Sequence, residues 1–507
     1  MVHNENEGKK QDEVSKAPNS NPSCGERRPG ETTAISRSRI NELLPNELLA
    51  YIFATAIINL LPMEHRSFLA LVCSICRRWR DVAIEASDLW TTIYVHDQKH
   101  IPAAELFLER SKTQLLDVDV EVDIDFECFG HDHDGFQSQL GFSRKSRLRV
   151  AELTSAHLER TRTLSLSVSD AQEAESFSTL YRPISMSTPH LVSLSVDIPG
   201  WSQGVAPFLD SICSFSSNRS DDLHSNGTSI SSLTRLELTS VRPEHEDLRN
   251  VFTYFPSLET LILPKFGWSW RTEEDQEDRP IILAPNSLRS LAVHLDYDHI
   301  GSLYLGNSPD CPCVLGSIRF QNLEYLEVLG EYSSCNLSLS SHFKDLPKLK
   351  TLRLQRCSVP PLDDEFFHSL KLLNRLELVD NLSHVKWLTE SSPTKVTLPF
   401  PHLSSISLSD QSSKSHDMTQ WARLAQLAVQ NSGCTQFSIK VTAQHHRSMT
   451  CALGPQDERI RVEVEDHPPS LFRLLPQGNF ADWLDDDDDY YHYDDRASDF
   501  DGYNPSD

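Results

Sequence analysis

The spacing of hydrophobic and polar positions changes along the chain. Apolar side chains recur at helical spacing from Ile40 to about residue 95, and from about residue 110 they alternate over short stretches. Spacing of i, i+3 and i+4 indicates amphipathic helices, whereas alternation indicates half-buried strands. The pattern predicts a helical unit (residues 39–95) followed by a larger strand-rich domain (residues 96–470).

The helical unit is predicted to contain two or three short helices. Pro45 stands at a first helical turn, where its missing N–H is harmless. An apolar stripe follows at Leu48, Leu49, Ile52 and Phe53. After Pro62, a second helical pattern that contains Cys73 and Cys76 places one apolar set on a shared face: Phe68, Leu71, Val72, Ile75 and Trp79. A unit of this size is only marginally stable unless another surface covers it.

A leucine pattern recurs through the strand-rich domain. Its clearest copy, "LKTLRLQRCSV" from Leu349, fits L-x-x-L-x-L-x-x-[N/C]-x-L except for a final valine at Val359. Shorter L-x-x-L-x-L cores begin at Leu191, Leu233, Leu258, Leu288, Leu323, Leu373 and Leu403, and partial ones begin at Leu115 and Thr163. Successive cores are 24 to 42 residues apart, and leucine-rich repeats have periods of roughly 20–29 residues that insertions lengthen.

The recurring pattern favours an α/β fold in which an irregular leucine-rich-repeat solenoid follows the helices. The first leucine of each core would pack at a bend, and the next two would face inward from a short strand. A helix in "MTQWARLAQLAVQ" and strands in "TQFSIKV" and "RIRVEVE" would form the last repeat and its cap. The alternative is a sandwich of ordinary amphipathic strands, but it does not explain the leucine three positions before each strand.

Composition narrows the class of protein. The net charge of −26 argues against a nucleic-acid partner, because binding phosphate requires a clustered positive surface. The apolar run Leu48–Leu61 is too short to span a bilayer, and no signal-peptide pattern opens the chain. Eleven scattered cysteines fit reduced thiols in the cytoplasm or nucleus. Residues 1–38 and the acidic residues 482–507 are predicted to be disordered.

Candidate catalytic chemistry is sparse, so we expect no enzymatic activity and no cofactor. No nucleotide-binding loop, nucleophile elbow or zincin helix occurs in the sequence. "HDHDG" (His131–Asp134), "CPC" (Cys311–Cys313) and "QHHR" (His445, His446) have metal-ligand residue types without the spacing that closes a site. A metal-assisted hydrolase built on His131 and His133 is therefore a remote alternative.

The helical unit resembles an F-box domain, in the form common among fungal F-box proteins. The matching residues are Leu44, Pro45, Glu47, Leu48, Ile52, Phe53, Leu71, Ile75, Cys76, Arg77, Trp79, Arg80, Ala83, Leu89 and Trp90. It departs from the family in a longer region around Pro62 and in Ile75, where valine is more usual. The resemblance covers about 55 of 507 residues.

The resemblance implies docking onto the Skp adaptor of a cullin-RING ubiquitin ligase, with the repeats capturing an unknown protein substrate. The adaptor-binding candidates are Leu44, Pro45, Leu48, Ile52, Phe53, Leu71, Ile75 and Trp79, although Trp79 could equally be a core residue. The substrate-binding candidates are outward strand positions of mixed charge: Arg235, Glu237, Tyr325, Glu327, Thr351, Arg353, Arg375 and Glu377. The alternatives are a leucine-rich-repeat scaffold acting outside any ligase, and a free binding module whose helices cap the solenoid.

Overall fold

The structure, a computed structural model, describes the chain in separate ranges. They are residues 43–58, 60–122, 144–168, 188–197, 230–239, 243, 245–266, 280–295, 314–330, 339–343, 345–357, 364–380, 400–409, 418–432, 436–454, 458–465 and 470–474. The predictions of a disordered arm (1–38) and a disordered acidic tail (482–507) lie outside these ranges.

The helical unit contains three α-helices and a 3₁₀ turn. Their bounds are α1 Asn46–Ile58, α2 Pro62–Ile75, α3 Arg77–Glu85 and the 3₁₀ turn Ser87–Trp90. Pro62 is the first residue of α2, as its preference for that position predicts. The Glu64 carboxylate then accepts a hydrogen bond of 2.9 Å from the Leu61 amide and closes the first turn.

The prediction that Cys76 lies inside the second helix is wrong. Its backbone is extended (φ −158°, ψ 167°), which ends α2 and makes Cys76 the residue that caps α3. The Cys76 Sγ accepts a hydrogen bond of 3.5 Å from the Trp79 amide. Trp79 therefore belongs to a different helix from Leu71 and Ile75, and the three do not form one continuous stripe.

The helical unit packs directly onto the start of the strand domain. Trp90, at the end of the 3₁₀ turn, donates a hydrogen bond of 2.7 Å to the carbonyl of Ala83. Its ring makes an edge contact with Phe107 at 4.9 Å between centroids, and the Arg110 guanidinium lies 4.4 Å above it. Both partners lie on the helix that follows the first strand, so the two regions share one hydrophobic core.

The described strands form one thirteen-stranded sheet whose neighbours follow chain order. Its members are β1 Thr92–Val95, β2 Leu116–Val122, β3 Thr161–Val168, β4 Ser193–Asp197, β5 Arg235–Thr239, β6 Thr260–Phe266, β8 Ser290–Leu295, β10 Tyr325–Gly330, β11 Thr351–Gln355, β12 Arg375–Val379, β13 Ser405–Ser409, β14 Phe437–Val441 and β15 Ile460–Val464. A second, two-stranded sheet pairs β7 Ile282–Leu283 with β9 Ile318–Arg319.

Described helices lie between many of the strands, as parallel neighbours require a crossover. Those that follow the first strand are α4 Ile101–Arg110, α5 Arg144–Ser155, α6 His245–Tyr254, α7 Leu339–His342, α8 Asp364–Ser369, α9 Thr419–Ser432 and α10 Ala443–Leu453. Among the described residues, none of the helices is both long and apolar enough to cross a bilayer.

The leucine pattern places the strands correctly. Each of the eight cores that open with leucine between Leu191 and Leu403 begins a strand two residues later, and every one of those opening leucines is buried. The inward leucines also match in register: Leu352 on β11 pairs with Leu326 on β10 and Leu376 on β12. Every pairing between described strands is parallel, and all of them except β7–β9 continue one sheet, which disagrees with a sandwich of two antiparallel sheets for this part of the chain.

The first strand was not predicted. β1 lies inside the stretch that the sequence assigned to the helical unit, yet its Ile93 and Val95 are buried and pair with Val118 and Val120 of β2. Four residues of alternation in "TIYV" are too few to distinguish a strand from a helix end. The chain therefore enters the sheet before the helical unit ends.

Candidate functional site

Helices α1 and α2 expose large apolar side chains of a kind that proteins usually bury. Leu48 and Ile52 are one turn apart on α1, and Leu71 and Ile75 are one turn apart on α2. Ile52 is 48% exposed and Leu71 is 60% exposed. These four residues, all predicted from the sequence, are called the exposed apolar face below. On each helix the two side chains are neighbours, and adjoining exposed apolar groups mark a partner site more often than isolated ones do.

Two further predicted docking residues lie elsewhere. Phe53 is only 2% exposed and packs its ring against Trp79 at 5.1 Å between centroids. It therefore packs in the core between α1 and α3, and its role in docking stays a prediction. Trp79 is partly buried against the same core, which agrees with the alternative of an internal role.

Leu44 and Pro45 mark the entry to α1, and Arg78 holds that entry in place. The Arg78 guanidinium donates to the Asn46 side chain through Nε (3.1 Å) and Nη2 (2.9 Å), and Nη2 also donates to the Leu44 carbonyl. Pro45 is exposed, whereas Leu44 is half-buried against the core. The start of α1 is thus fixed to α3 beside the exposed apolar face.

Several more apolar side chains are exposed on or directly before these helices without having been singled out in the sequence. They are Leu43, Tyr51, Ile58, Leu61 and Met63. Tyr51 lies between Leu48 and Ile52 on the same side of α1, at helical spacing that could have indicated it. Helical periodicity alone could not decide which of two apolar stripes on α1 faces the core.

The second candidate surface is the outward face of the sheet. Strand register aligns one outward position per strand into a row, called the strand-face row. From β1 to β14 it contains Tyr94, Asp119, Ser165, Ser195, Glu237, Ile262, Ala292, Glu327, Arg353, Glu377, Ser407 and Lys440. Charged, hydroxyl and small apolar side chains thus follow one another along a single line.

The predicted substrate residues in the middle of this row are not open to solvent. Glu237, Glu327, Arg353 and Glu377 are all buried, with Glu327 at 0% and Arg353 at 4% exposure. These outward positions are therefore covered in the structure, and their role in binding a substrate stays a prediction. The physical reason is that they pair with one another and with residues that return from the C-terminal part of the chain.

The buried charges form a continuous series of ion pairs. Nε of Arg353 lies 3.0 Å from Oε1 of Glu327, and its Nη1 donates to Glu377 at 3.0 Å. Glu377 in turn lies 2.5 Å from Nε of Arg375, whose Nη2 lies 3.3 Å from Oε2 of Glu465. Because each buried charge has an oppositely charged neighbour, the large cost of removing it from water is offset.

Glu465, directly after β15, joins the end of this series to three strands. Besides Arg375 on β12, it accepts hydrogen bonds from Ser407 on β13 (2.9 Å) and Lys440 on β14 (3.0 Å). Burial raises the pKa of Glu465, but the hydrogen bonds from Lys440 and Ser407 and the charge of Arg375 bring that pKa below its ordinary value. The carboxylate is thus held in its charged form.

The segment Ser470–Leu474, called the covering segment, lies on the centre of the strand-face row. The Leu471 amide donates 2.8 Å to Oε2 of Glu327, and the Ser470 hydroxyl donates to its Oε1. On the other side, Arg235 of β5 donates 3.3 Å to the Leu471 carbonyl. The segment, whose last four residues form a 3₁₀ turn, also lies against β6.

The other predicted substrate residues flank the covered centre. Tyr325 is half-buried and donates a hydrogen bond of 3.0 Å to Glu327, and burial raises the pKa of its hydroxyl further. Arg235, Thr351 and Arg375 are also partly covered. The structure therefore brings all eight predicted positions onto one face. Four of them are buried, whereas Arg235, Tyr325, Thr351 and Arg375 are partly exposed.

The metal-ligand residue types predicted from the sequence do not form a centre in the part of the chain that the structure describes. The loops with His131 and His133 and with Cys311 and Cys313 lie outside it. Within the described residues, no group of three or more His, Cys, Asp or Glu side chains is placed to hold a metal ion. Burial raises the pKa of the Cys73 thiol, as expected for a small buried side chain.

Comparison with known protein families identifies one region. Residues 42–96 match the F-box-like family model. This range contains α1, α2, α3 and the exposed apolar face, and it ends directly after β1. No curated protein matches the chain at a significant level. The matched family is thus established for the helical unit, while the sheet is characterised by its own geometry.

Proposed function

We propose that this protein is a non-catalytic substrate receptor of a cullin-RING ubiquitin ligase. The helical unit, an F-box of the form common in fungal proteins, docks onto a Skp-family adaptor, and the sheet domain is a leucine-rich-repeat solenoid that binds a target protein. The observation that carries this proposal is the exposed apolar face within the region that matches the F-box-like model. F-box domains typically bind Skp adaptors through such a surface.

The architecture also supports a receptor role. The helical unit and the sheet share a core through Trp90 and Phe107, so a target bound to the sheet would be held at a fixed position relative to the adaptor. Receptors act by raising the effective concentration of a target near the catalytic subunits. Such a chain would act in the cytoplasm or nucleus and requires no catalytic residues of its own.

The test is adaptor binding by a variant with Leu48→Asp and Ile52→Asp. Both side chains are exposed, so the variant should fold, but it places two charges on the surface that the adaptor would desolvate. Buried interface residues commonly contribute about 2 kcal/mol or more each. We therefore expect affinity for a co-expressed Skp adaptor to fall at least about a hundredfold.

A matched control makes the same chemical change elsewhere. Leu106 on α4 and Leu148 on α5 are also exposed leucines, and the variant with Leu106→Asp and Leu148→Asp should retain adaptor binding. If neither the wild type nor the control binds an adaptor, the proposal fails. If the adaptor binds but cullin never co-purifies with it, the chain acts as a scaffold outside a ligase.

A further inference from the structure

The covering segment is held mainly by contacts to its backbone. Glu327 on β10 accepts from the Leu471 amide, and Arg235 on β5 donates to the Leu471 carbonyl. Both main-chain groups of one peptide residue are thus hydrogen-bonded by side chains on the outward face of two strands. Because main-chain groups are common to all peptides, these two contacts do not require leucine at that position.

The strip of the strand face between those two strands is called the groove below. Its floor consists of Ile262 on β6 and Ala292 on β8, which align with Glu237 and Glu327 in the strand-face row. Both floor residues are fully buried. A small apolar floor between charged walls suits a short peptide turn, which can bury apolar side chains while its polar backbone meets the walls.

One wall of the groove has an acceptor that the covering segment does not use. Glu237 is 4% exposed, and its Oε2 lies 3.4 Å from Nη2 of Arg235, the same nitrogen that reaches Leu471. Among the described residues, no donor makes a hydrogen bond with its other oxygen, Oε1. A buried carboxylate oxygen without a donor is costly, so a ligand with an extra donor there would bind better than the covering segment does.

The tether to the covering segment is short. Glu465 is fixed by Arg375, Ser407 and Lys440, and only residues 466–469 separate it from Ser470. A segment tethered at this distance has an effective local concentration on the order of millimolar. A few contacts therefore suffice for it to occupy the groove, and a separate ligand with more contacts can still compete.

We propose that the strand face between β5 and β10 is a peptide-binding groove, and that the covering segment is a built-in occupant which a target peptide displaces. The chemistry of the groove defines that peptide. It carries a serine or threonine whose hydroxyl donates to Glu327, then an apolar residue held at its main-chain groups by Glu327 and Arg235, and a neighbouring cationic or amide donor that reaches Glu237. The inference rests on the proposed function only in identifying this peptide as part of a ligase target.

The experiment frees the groove in the intact chain. A protease site replaces residues 466–469, the purified protein is cut there, and the C-terminal fragment is removed by dilution and size exclusion. The probe is a fluorescent peptide with the sequence of residues 467–475, HPPSLFRLL, and binding is followed by fluorescence anisotropy. A chain that ends at residue 481 is the matched control, because it lacks only the acidic tail and retains the covering segment.

We expect the peptide to bind the cut chain at least about tenfold more tightly than the uncut chain or the control, by the loss of an internal competitor. Two peptide variants test the contacts without altering the protein. Methylation of the nitrogen of the Leu471 equivalent and Ser470→Ala should each weaken binding severalfold, while methylation of the His467 nitrogen should not.

Three results would overturn the inference. The first is a cut chain that remains folded by circular dichroism and does not bind the peptide. The second is equal affinity for the cut and uncut chains, and the third is a C-terminal fragment that cannot be removed after cleavage. The assay contains no adaptor, so its failure is separate from failure of the adaptor-binding test.

Discussion

Apolar side chains are usually buried and charged ones exposed, but the helical unit and the strand face show the reverse. The helical unit presents Ile52 and Leu71 to solvent, while the strand face buries Glu327 and Arg353. The two surfaces differ in what covers them: the covering segment lies over the charged face, whereas nothing among the described residues covers the apolar one. A candidate binding surface is thus exposed or covered according to whether another segment of the same chain lies on it.

The largest effect is expected when the central charge of the strand face is removed. Arg353→Ala would leave the carboxylates of Glu327 and Glu377 buried and facing each other. Removing one partner of a buried ion pair costs about 3–5 kcal/mol, and we expect the upper part of that range because two carboxylates lose their cation. The measurement is the free energy of unfolding from urea titration.

The control for that variant is an ion pair directly before strands β10 and β11. Lys350 lies 2.6 Å from Glu324, and their side chains are 51% and 35% exposed. Lys350→Ala should cost less than about 1 kcal/mol, as is usual for exposed pairs. Similar losses for Arg353→Ala and Lys350→Ala would show that burial does not set the difference.

The second prediction compares neighbouring residues of α1. Phe53→Ala removes a buried ring that packs on Trp79 and should cost about 3–4 kcal/mol of unfolding free energy. Ile52→Ala changes an exposed side chain and should alter that free energy by less than about 0.5 kcal/mol, while still weakening adaptor binding. A large loss of stability from Ile52→Ala would place Ile52 in the core and contradict the exposed apolar face.

The smallest effect is expected where the strand-face row begins. Burial raises the pKa of Asp119 on β2 to about 6; its hydrogen bond with Ser165 opposes the shift, the charge of Glu121 adds to it, and His96 lowers it. Because the folded pKa is above the ordinary value of 3.8, ionised Asp119 destabilises the fold increasingly as pH rises from about 4 to 6. Asp119→Asn should therefore stabilise the protein by at most about 3 kcal/mol at pH 7, and this gain should vanish below about pH 4.

Thermal unfolding at several pH values would measure this gain, with Asp117 as the control on the same strand. Asp117 pairs with Arg162 at 2.5 Å and accepts a hydrogen bond of 2.9 Å from Thr163. Asp117→Asn should therefore lower stability slightly at neutral pH. A gain from Asp119→Asn that does not change with pH would contradict the assigned titration.

The sequence predicted which leucines face the inside of the sheet, but it did not predict what covers the outward side. Leucines at Leu349, Leu352 and Leu354 repeat a spacing that follows from local geometry, because a strand alternates its faces and a bend needs an apolar residue before it. What lies on the other face depends on distant residues. Glu465 is 90 positions from Arg375 and Ser470 is 143 from Glu327, and no periodicity signals such contacts.

In the helical unit, the sequence identified the residues but not always their direction. Leu48 and Ile52 were correctly grouped with Leu49 and Phe53 as apolar, yet the first pair faces solvent and the second pair faces the core. The apolar stripe of α1 is wider than the surface that packs against the core. The pattern alone is therefore consistent with either pair facing the core. The break at Cys76 was likewise hidden, because both sides of it carry the same helical pattern.

The strict chain order of the sheet gives the molecule a length scale. Neighbouring strands are about 4.8 Å apart, so β5 and β10 stand roughly 19 Å and 34 Å along the sheet from β1, next to which the helical unit packs. The number of strands therefore sets the distance between β1 and a ligand bound in the groove. Each strand added or removed before β5 would change this distance by roughly 5 Å without altering the exposed apolar face or the groove.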